Sequence, residues 1–278
     1  MKRHSTNESS RTSTGTQSVV RALRIIHAFS DTRAEWSLAE LSRELSLSKP
    51  TAFRLLGALE QAELVTRIDP AGTYRLGPGA IELGARAQRA NTILSAARPE
   101  LEALTRDTGE TSSVEILAGA MTLILDEVLG GHLIGTSPAA GTRWPAHAAS
   151  TGKVLLAAAQ EDEPGIARRL AQEAGGRLPG LTPATIRSAP RLAAELARVS
   201  RQGYSIAINE LEEGYVALGA PVRRHDGRVV AAISLGGPAT RFTASRIRRL
   251  VPPLRDAALR ISRRLGWAEN GGRPRASF

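Results

Sequence analysis

The chain has 278 residues, enough for two domains that each bury a core. It has no cysteine, which excludes disulfides, Cys-ligated zinc and thiol nucleophiles, and no run of 18 apolar residues that would span a membrane. The formal net charge of +10 favours polyanionic partners, but residues 1–90 hold 13 basic against 9 acidic residues and residues 91–278 hold 24 against 18. Charge alone therefore singles out neither half as a nucleic-acid-binding part.

Residues 1–16 are rich in Ser and Thr, with a basic start and no apolar h-region. They read as a disordered tail rather than a signal peptide. A cytoplasmic location fits that reading and the absence of cysteine.

Val19, Ala22, Leu23, Ile26 and Phe29 then recur at helical spacing, with Thr16 or Ser18 as the cap. A second helix follows Ser37, with Leu38, Leu41 and Leu45 on one side. After the short turn at Ser46-Leu47, Ser48 caps a third helix with Pro50 in its first turn, where a missing N–H costs nothing. Ala52, Leu55, Leu56 and Leu59 line its inner face, which leaves Lys49, Thr51 and Arg54 outward.

Two short helices joined by a tight turn, the second polar and basic at its start, have helix-turn-helix geometry. Arg54 can pair with guanine, Ser48, Thr51 and Lys49 can reach bases or phosphates, and Phe53 can meet a thymine methyl or pack locally. The plainer alternative is a three-helix structural module with a solvated basic face.

The period changes to two after Glu63. Leu64–Ile68 and Thr73–Leu76 flank Asp69-Pro70-Ala71-Gly72, a turn sequence. This predicts a hairpin wing with Arg67 and Arg75 on backbone phosphates, and it favours a winged helix over the plainer alternative. Residues 78–91 read as a linker helix whose small apolar residues can also meet a second subunit.

The remaining chain alternates helical and strand patterns, which predicts an α+β domain with helices packed on an antiparallel or mixed sheet. Helices are expected at 93–108, 151–159, 165–174, 189–201 and 243–265. Strands are expected at 111–117, 121–128, near 132–136, 204–208, 215–222 and 229–235, with loop from there to Ser150 after the third. The domain reading is a tail at 1–16, a winged helix at 17–77, a linker helix at 78–91, an effector domain at 92–266 and a tail at 267–278.

Several tempting motifs lack their partners. Ser150-Thr151-Gly152-Lys153 spells S-x-x-K without S-D-N or K-T-G, and His147 stands where a P-loop needs its first glycine. Five scattered histidines give no metal constellation. His147 reads as a structural hydrogen-bonding residue, Asp126-Glu127 and Glu212-Glu213 as solvated charge, and Arg246, Arg248 and Arg249 as a solvated helix face. No cofactor, metal or catalytic set is expected.

Taken in order, Ser37–Leu41, Leu47–Leu56, Tyr74–Gly77, Pro145–Lys153, Arg201–Tyr204, Ala220–Val222 and Ala231–Pro238 resemble the IclR family of bacterial regulators over nearly the whole chain. The resemblance implies a winged helix, a linker helix and a GAF-like effector domain. It further implies dimers or dimers of dimers on double-stranded operator DNA, under the control of a small organic acid or an aromatic or apolar compound. Family pockets map to Ser150, Thr151, Ala207, Ala217, Ser234 and Gly236, where backbone N–H groups at the Thr151 helix would suit a carboxylate. Tyr215 is expected beside them, and Trp144, next to the Ser150 loop, can line the pocket or pack in the core.

Ala207 and Gly236 stand where many relatives carry polar residues, so the expected pocket is roomier and less polar, with a larger or more apolar effector. The competing functions are a DNA-binding regulator that has lost its effector and an enzyme or sensor built on the second domain.

Overall fold

The computed structural model describes residues 14–30, 32–132 and 140–268. The chain forms two compact units that divide between Ala90 and Asn91. The helix read as a linker thus falls in the N-terminal unit. The expected tails at 1–13 and 269–278, and all of the strand expected near 132–136 except His132, lie outside the described residues.

The N-terminal unit holds α1 (Thr14–Ala28), β1 (Trp36–Ser37), α2 (Leu38–Glu44), α3 (Lys49–Gln61), β2 (Val65–Ile68), β3 (Thr73–Leu76) and α4 (Pro78–Arg89). Ser37 caps α2 in a reciprocal box: its hydroxyl accepts from the Glu40 N–H, and the Glu40 carboxylate accepts from the Ser37 N–H at 2.9 Å. Ser46 takes a φ of 54°, which turns the chain sharply into α3. Ile25, Phe29, Trp36, Leu41, Leu56, Leu59, Val65 and Tyr74 form one core.

Three expectations need correction here. Helix α1 begins at Thr14, inside the expected tail. Its buried face runs through Ile25 and Phe29 with Ala22 and Ile26 half-buried, whereas Val19 and Leu23 are exposed. The wing has three strands in the order β1-β3-β2, because Trp36 and Ser37 pair with Tyr74 and Thr73.

The C-terminal unit holds α5 (Thr92–Thr108), β4 (Thr111–Ala118), β5 (Met121–Val128), β6 (Arg143–Pro145), α6 (Ser150–Asp162), α7 (Ile166–Glu173), α8 (Ala189–Gln202), β7 (Ser205–Ile208), β8 (Tyr215–Arg223), β9 (Val229–Pro238) and α9 (Ala244–Arg264). Its strands form one antiparallel sheet in the order β6-β5-β4-β9-β8-β7. Strand β6 lies in what reads as loop: three residues ending in proline carry no alternation, and their pairing with Met121–Leu123 is non-local.

Alternation along the strands sends Val114, Leu218, Ile233 and Leu235 to the face covered by α5 and α9. The opposite face meets α6, which packs with α7 and α8 around Leu156, Leu170, Leu192 and Leu196. Helix α5 ends at Gly109, whose φ of 75° suits a residue without Cβ.

The next residue, Glu110, is fully buried and pairs with two arginines at once. Arg241 donates through Nε (3.0 Å) and Nη2 (2.7 Å), and Arg246 through Nη2 (3.3 Å). Arg246 also donates to the Thr108 carbonyl at 2.9 Å, so it clasps the sheet, whereas Arg248 and Arg249 do face solvent. Glu110→Gln leaves two guanidiniums short of their anion and should lower stability by on the order of 2–3 kcal/mol in urea unfolding. A change within about 0.5 kcal/mol would show that the cluster adds nothing.

Candidate functional site

The exposed end of α3 is built by its cap. Ser48 accepts from the Thr51 N–H at 3.4 Å, and the two hydroxyls lie 2.8 Å apart. Both hydroxyls are therefore engaged in starting the helix. Lys49, Phe53 and Arg54 are exposed on the same first turns, and neither cation has an ion-pair or hydrogen-bond partner among the described residues. Phe53 is 58% exposed, on the flank of the buried face formed by Ala52, Leu56 and Leu59.

On the hairpin, Arg67 sits opposite Tyr74 and Arg75 opposite Thr66. Cross-strand partners share a face, so the two arginines lie on opposite faces of the ribbon. Both are exposed, and Arg67 meets Asp69 at 3.3 Å in a pair open to solvent.

In the second unit, a cavity of about 30 Å³ lies between the sheet and the start of α6, with room for a water or two. Of the eight residues expected to line it, Trp144, Ser150, Thr151, Ala207, Tyr215, Ala217 and Ser234 do so. Gly236 lies beneath the wall instead. A Cβ there would collide with the Tyr215 hydroxyl, so the space that glycine opens is filled by tyrosine.

The start of α6 reaches the sheet because Gly152 packs on the Ala146 backbone, where a Cβ would collide. Behind it, buried Lys153 donates to Glu210, to the Ile206 carbonyl (3.2 Å) and to Glu195 (3.4 Å). His147 is structural: its Nε2–H donates to the Pro179 carbonyl at 2.9 Å, and burial lowers its pKa.

The cavity's strongest polar groups escaped the sequence reading. Glu115 is buried on β4, where Thr151 donates to one carboxyl oxygen (2.6 Å) and Ser113 to the other (2.9 Å). Ser234 lies 2.8 Å from Ser113, and since the Ser113 proton is committed to Glu115, Ser234 is the donor. Glu127, read as solvated charge, also lines the cavity, and its carboxyl has no donor among the described residues.

A register shift at Val114/Glu115 lets β5 present both Ile124 and Glu127 to the cavity. Alternation alone would send these two residues to opposite faces. The expectation of a roomier, less polar pocket did not foresee these two carboxyl groups or so small a cavity.

Burial pushes the Glu115 carboxyl up despite the opposing hydroxyls of Thr151, Thr122 and Ser113. Burial, then the charges of Glu115 and Asp126, raise Glu127 to about 7. Burial likewise raises the Tyr215 phenol, which keeps its proton.

A raised carboxyl pKa costs stability once the unfolded chain ionises. Glu127→Gln should be near-neutral below pH 4.5, the ordinary value for Glu, and increasingly stabilising as pH rises toward about 7. At about pH 8 the gain should reach on the order of 2 kcal/mol, discounted from ~3 for partial exposure. Urea midpoints across pH measure it, and a difference that does not vary with pH would contradict the assignment.

Comparisons with known proteins agree in both units. Residues 18–69 match the IclR helix-turn-helix domain, and residues 85–263 match the bacterial transcriptional regulator IclR C-terminal domain. The HTH-type transcriptional regulator XynR of Escherichia coli K12 is 32% identical over 90% of this chain and 98% of its own. The HTH-type transcriptional repressor AllR of Salmonella typhi is 30% identical over 91% of each.

Among solved structures, an IclR regulator from Silicibacter sp. TM1040 superposes with a TM-score of 0.79 at 29% identity, covering 90% of this chain and 97% of that one. An IclR homologue from Microbacterium hydrocarbonoxydans, complexed with 4-hydroxybenzoate, gives 0.77 at 25% identity over 89% and 98%. With both domains matched in order and relatives aligned along nine-tenths of its length, the chain belongs to the IclR family of effector-responsive, DNA-binding transcription regulators.

Proposed function

We propose that the protein binds double-stranded operator DNA of a catabolic or metabolic operon, and that a small molecule in the cavity under α6 adjusts that binding. The observation that carries the DNA reading is the start of α3, where Lys49, Phe53 and Arg54 are exposed and neither cation has a partner among the described residues. A helix so capped fits the major groove with its N-terminal side chains on base edges. Arg54 reads a guanine, Lys49 a base or phosphate, and Phe53 a thymine methyl. Ser48 and Thr51 hold the helix start in shape, and each retains lone pairs toward DNA. Arg67 and Arg75, on opposite faces of the wing, meet phosphates on either side of it.

The effector reading rests on a cavity of mixed polar and apolar lining at the start of a helix, lined by Trp144, Ser150, Thr151, Ala207, Tyr215, Ala217 and Ser234. A relative's complex with 4-hydroxybenzoate supports a small-molecule ligand. Its cavity is small in this state, so effector entry displaces Tyr215. The functional division follows: winged helix at 17–77, linker helix at 78–91 and effector domain at 92–266, in a cytoplasmic protein.

The protein works as a homodimer or dimer of dimers. Ile81 (74% exposed) and Leu83 (55%) on α4, with Val19 and Leu23 on α1, are too apolar to favour solvent and suit a second copy.

Fluorescence anisotropy on DNA upstream of the gene tests the DNA reading. Arg54→Ala should cost roughly 1–3 kcal/mol and relax specificity at one base pair. Arg67→Ala should weaken all sequences alike and flatten the salt slope by about one ion. Equal behaviour of the two variants would refute these roles. Ile81→Asp should shift sedimentation toward monomer and weaken DNA binding in parallel; an unchanged assembly would place the subunit contact elsewhere.

A further inference from the structure

The chemistry of the cavity constrains its ligand. No lysine or arginine lines it among the described residues. Two nearby cations are committed elsewhere: Lys153 to Glu210 and Glu195, and Arg98 to Glu102 and Asp126. Residues 133–139, Leu-Ile-Gly-Thr-Ser-Pro-Ala, contain no basic side chain.

The place where an anion would sit, against the first turn of α6, already faces a carboxyl group, because Thr151 donates to Glu115. Side-chain protons run one way through this wall, from Ser234 to Ser113 to Glu115, and from Thr151 to Glu115. Those side chains offer the cavity lone pairs rather than protons, whereas the Tyr215 and Ser150 hydroxyls and the Trp144 indole N–H, which have no hydrogen-bond partner among the described residues, can donate into it. Glu127 offers a whole carboxyl group to which no described residue donates.

We propose that the cavity recognises its effector by hydrogen-bond donors, an ammonium or hydroxyl group seated on the Glu127 carboxyl, and discriminates against carboxylates. The inference rests on the reading of this cavity as the effector site. A carboxylate would lie beside two carboxyl groups with no lining cation to offset it, whereas a donor satisfies the Glu127 carboxyl, which has no donor among the described residues. The raised pKa of Glu127 fits an acceptor waiting for its donor, since a seated ammonium would restore its charge. Gly236 gives Tyr215 its place, and the Tyr215 hydroxyl can accept from the same donor group.

The test uses the full chain and matched sets on one skeleton: benzylamine, benzyl alcohol and benzoate; serinol, glycerol and glycerate. Calorimetry reads affinity. Intrinsic fluorescence in wild type and in Trp144→Phe reports whether the compound reaches the cavity, since Trp144 lines it. Within at least one set, the amine or alcohol should bind about tenfold or more tightly than the acid, with a fluorescence change that Trp144→Phe removes. The conservative Glu127→Gln variant should erase the amine's advantage over the alcohol while thermal unfolding confirms a folded chain.

An acid that binds as tightly as its amine or alcohol, with a Trp144-dependent signal, overturns this inference and leaves the cavity as the effector site. Binding with no Trp144-dependent signal overturns the cavity reading itself. Failure of every amine and alcohol to bind overturns the donor-based inference.

Discussion

The architecture of the second unit turns on one contact, the start of α6 pressed against the sheet with the Glu115 carboxyl beneath it. Gly152 permits the approach, because any Cβ there would meet the Ala146 backbone. Thr151 and Ser113 then satisfy both oxygens of Glu115, without which a buried carboxyl would be costly. The cavity is what remains between these groups, Tyr215 and β5. Its character follows from the contact: a helix N-terminus already facing an internal carboxyl group has little left for an external anion.

The same helix offers a physical route for coupling. Two residues past Thr151, Lys153 joins α6 to Glu195 on α8 and to Glu210, beside Leu211 in the cavity wall. Asn209 holds that loop with a φ of 54° and accepts from the Gly214 N–H at 3.0 Å. A ligand that displaces Tyr215 or Leu211 therefore strains elements tied to α6 and α8. Packed elements tend to switch between discrete arrangements rather than deform continuously.

Much of the fold was legible in local chemistry. Ser37 and Ser48 announce helix starts because a hydroxyl at that position completes the backbone hydrogen bonds, and Gly109 ends a helix for lack of a Cβ. Elements held by distant partners were not legible. Trp36-Ser37 and Arg143–Pro145 are strands only because Tyr74 and Met121–Leu123 lie beside them. Helical spacing in α1 was correctly seen, but the choice between Leu23 and Ile25 as the buried residue depends on what packs against the helix.

The cavity divides in the same way. Ser150, Thr151 and Ser234 fall within segments that carry the family resemblance, whereas Glu115 and Glu127 carry no motif and reach the site through strand alternation and the shift at Val114/Glu115. Adjacent acidic residues such as Asp126 and Glu127 look alike in sequence. In the fold Asp126 takes Arg98 at 3.0 Å, and Glu127 turns to the cavity. Gly236 suggests empty space only until Tyr215 is placed in it.

The central claim is that occupation of this cavity changes DNA affinity, and it is tested most directly by measuring Kd for upstream DNA at fixed salt, with and without a compound that alters Trp144 emission. The account predicts a shift of several-fold or more, since a ligand that distinguishes two states must move the equilibrium between them. An unchanged Kd at saturating compound would contradict it and leave the cavity without a regulatory role.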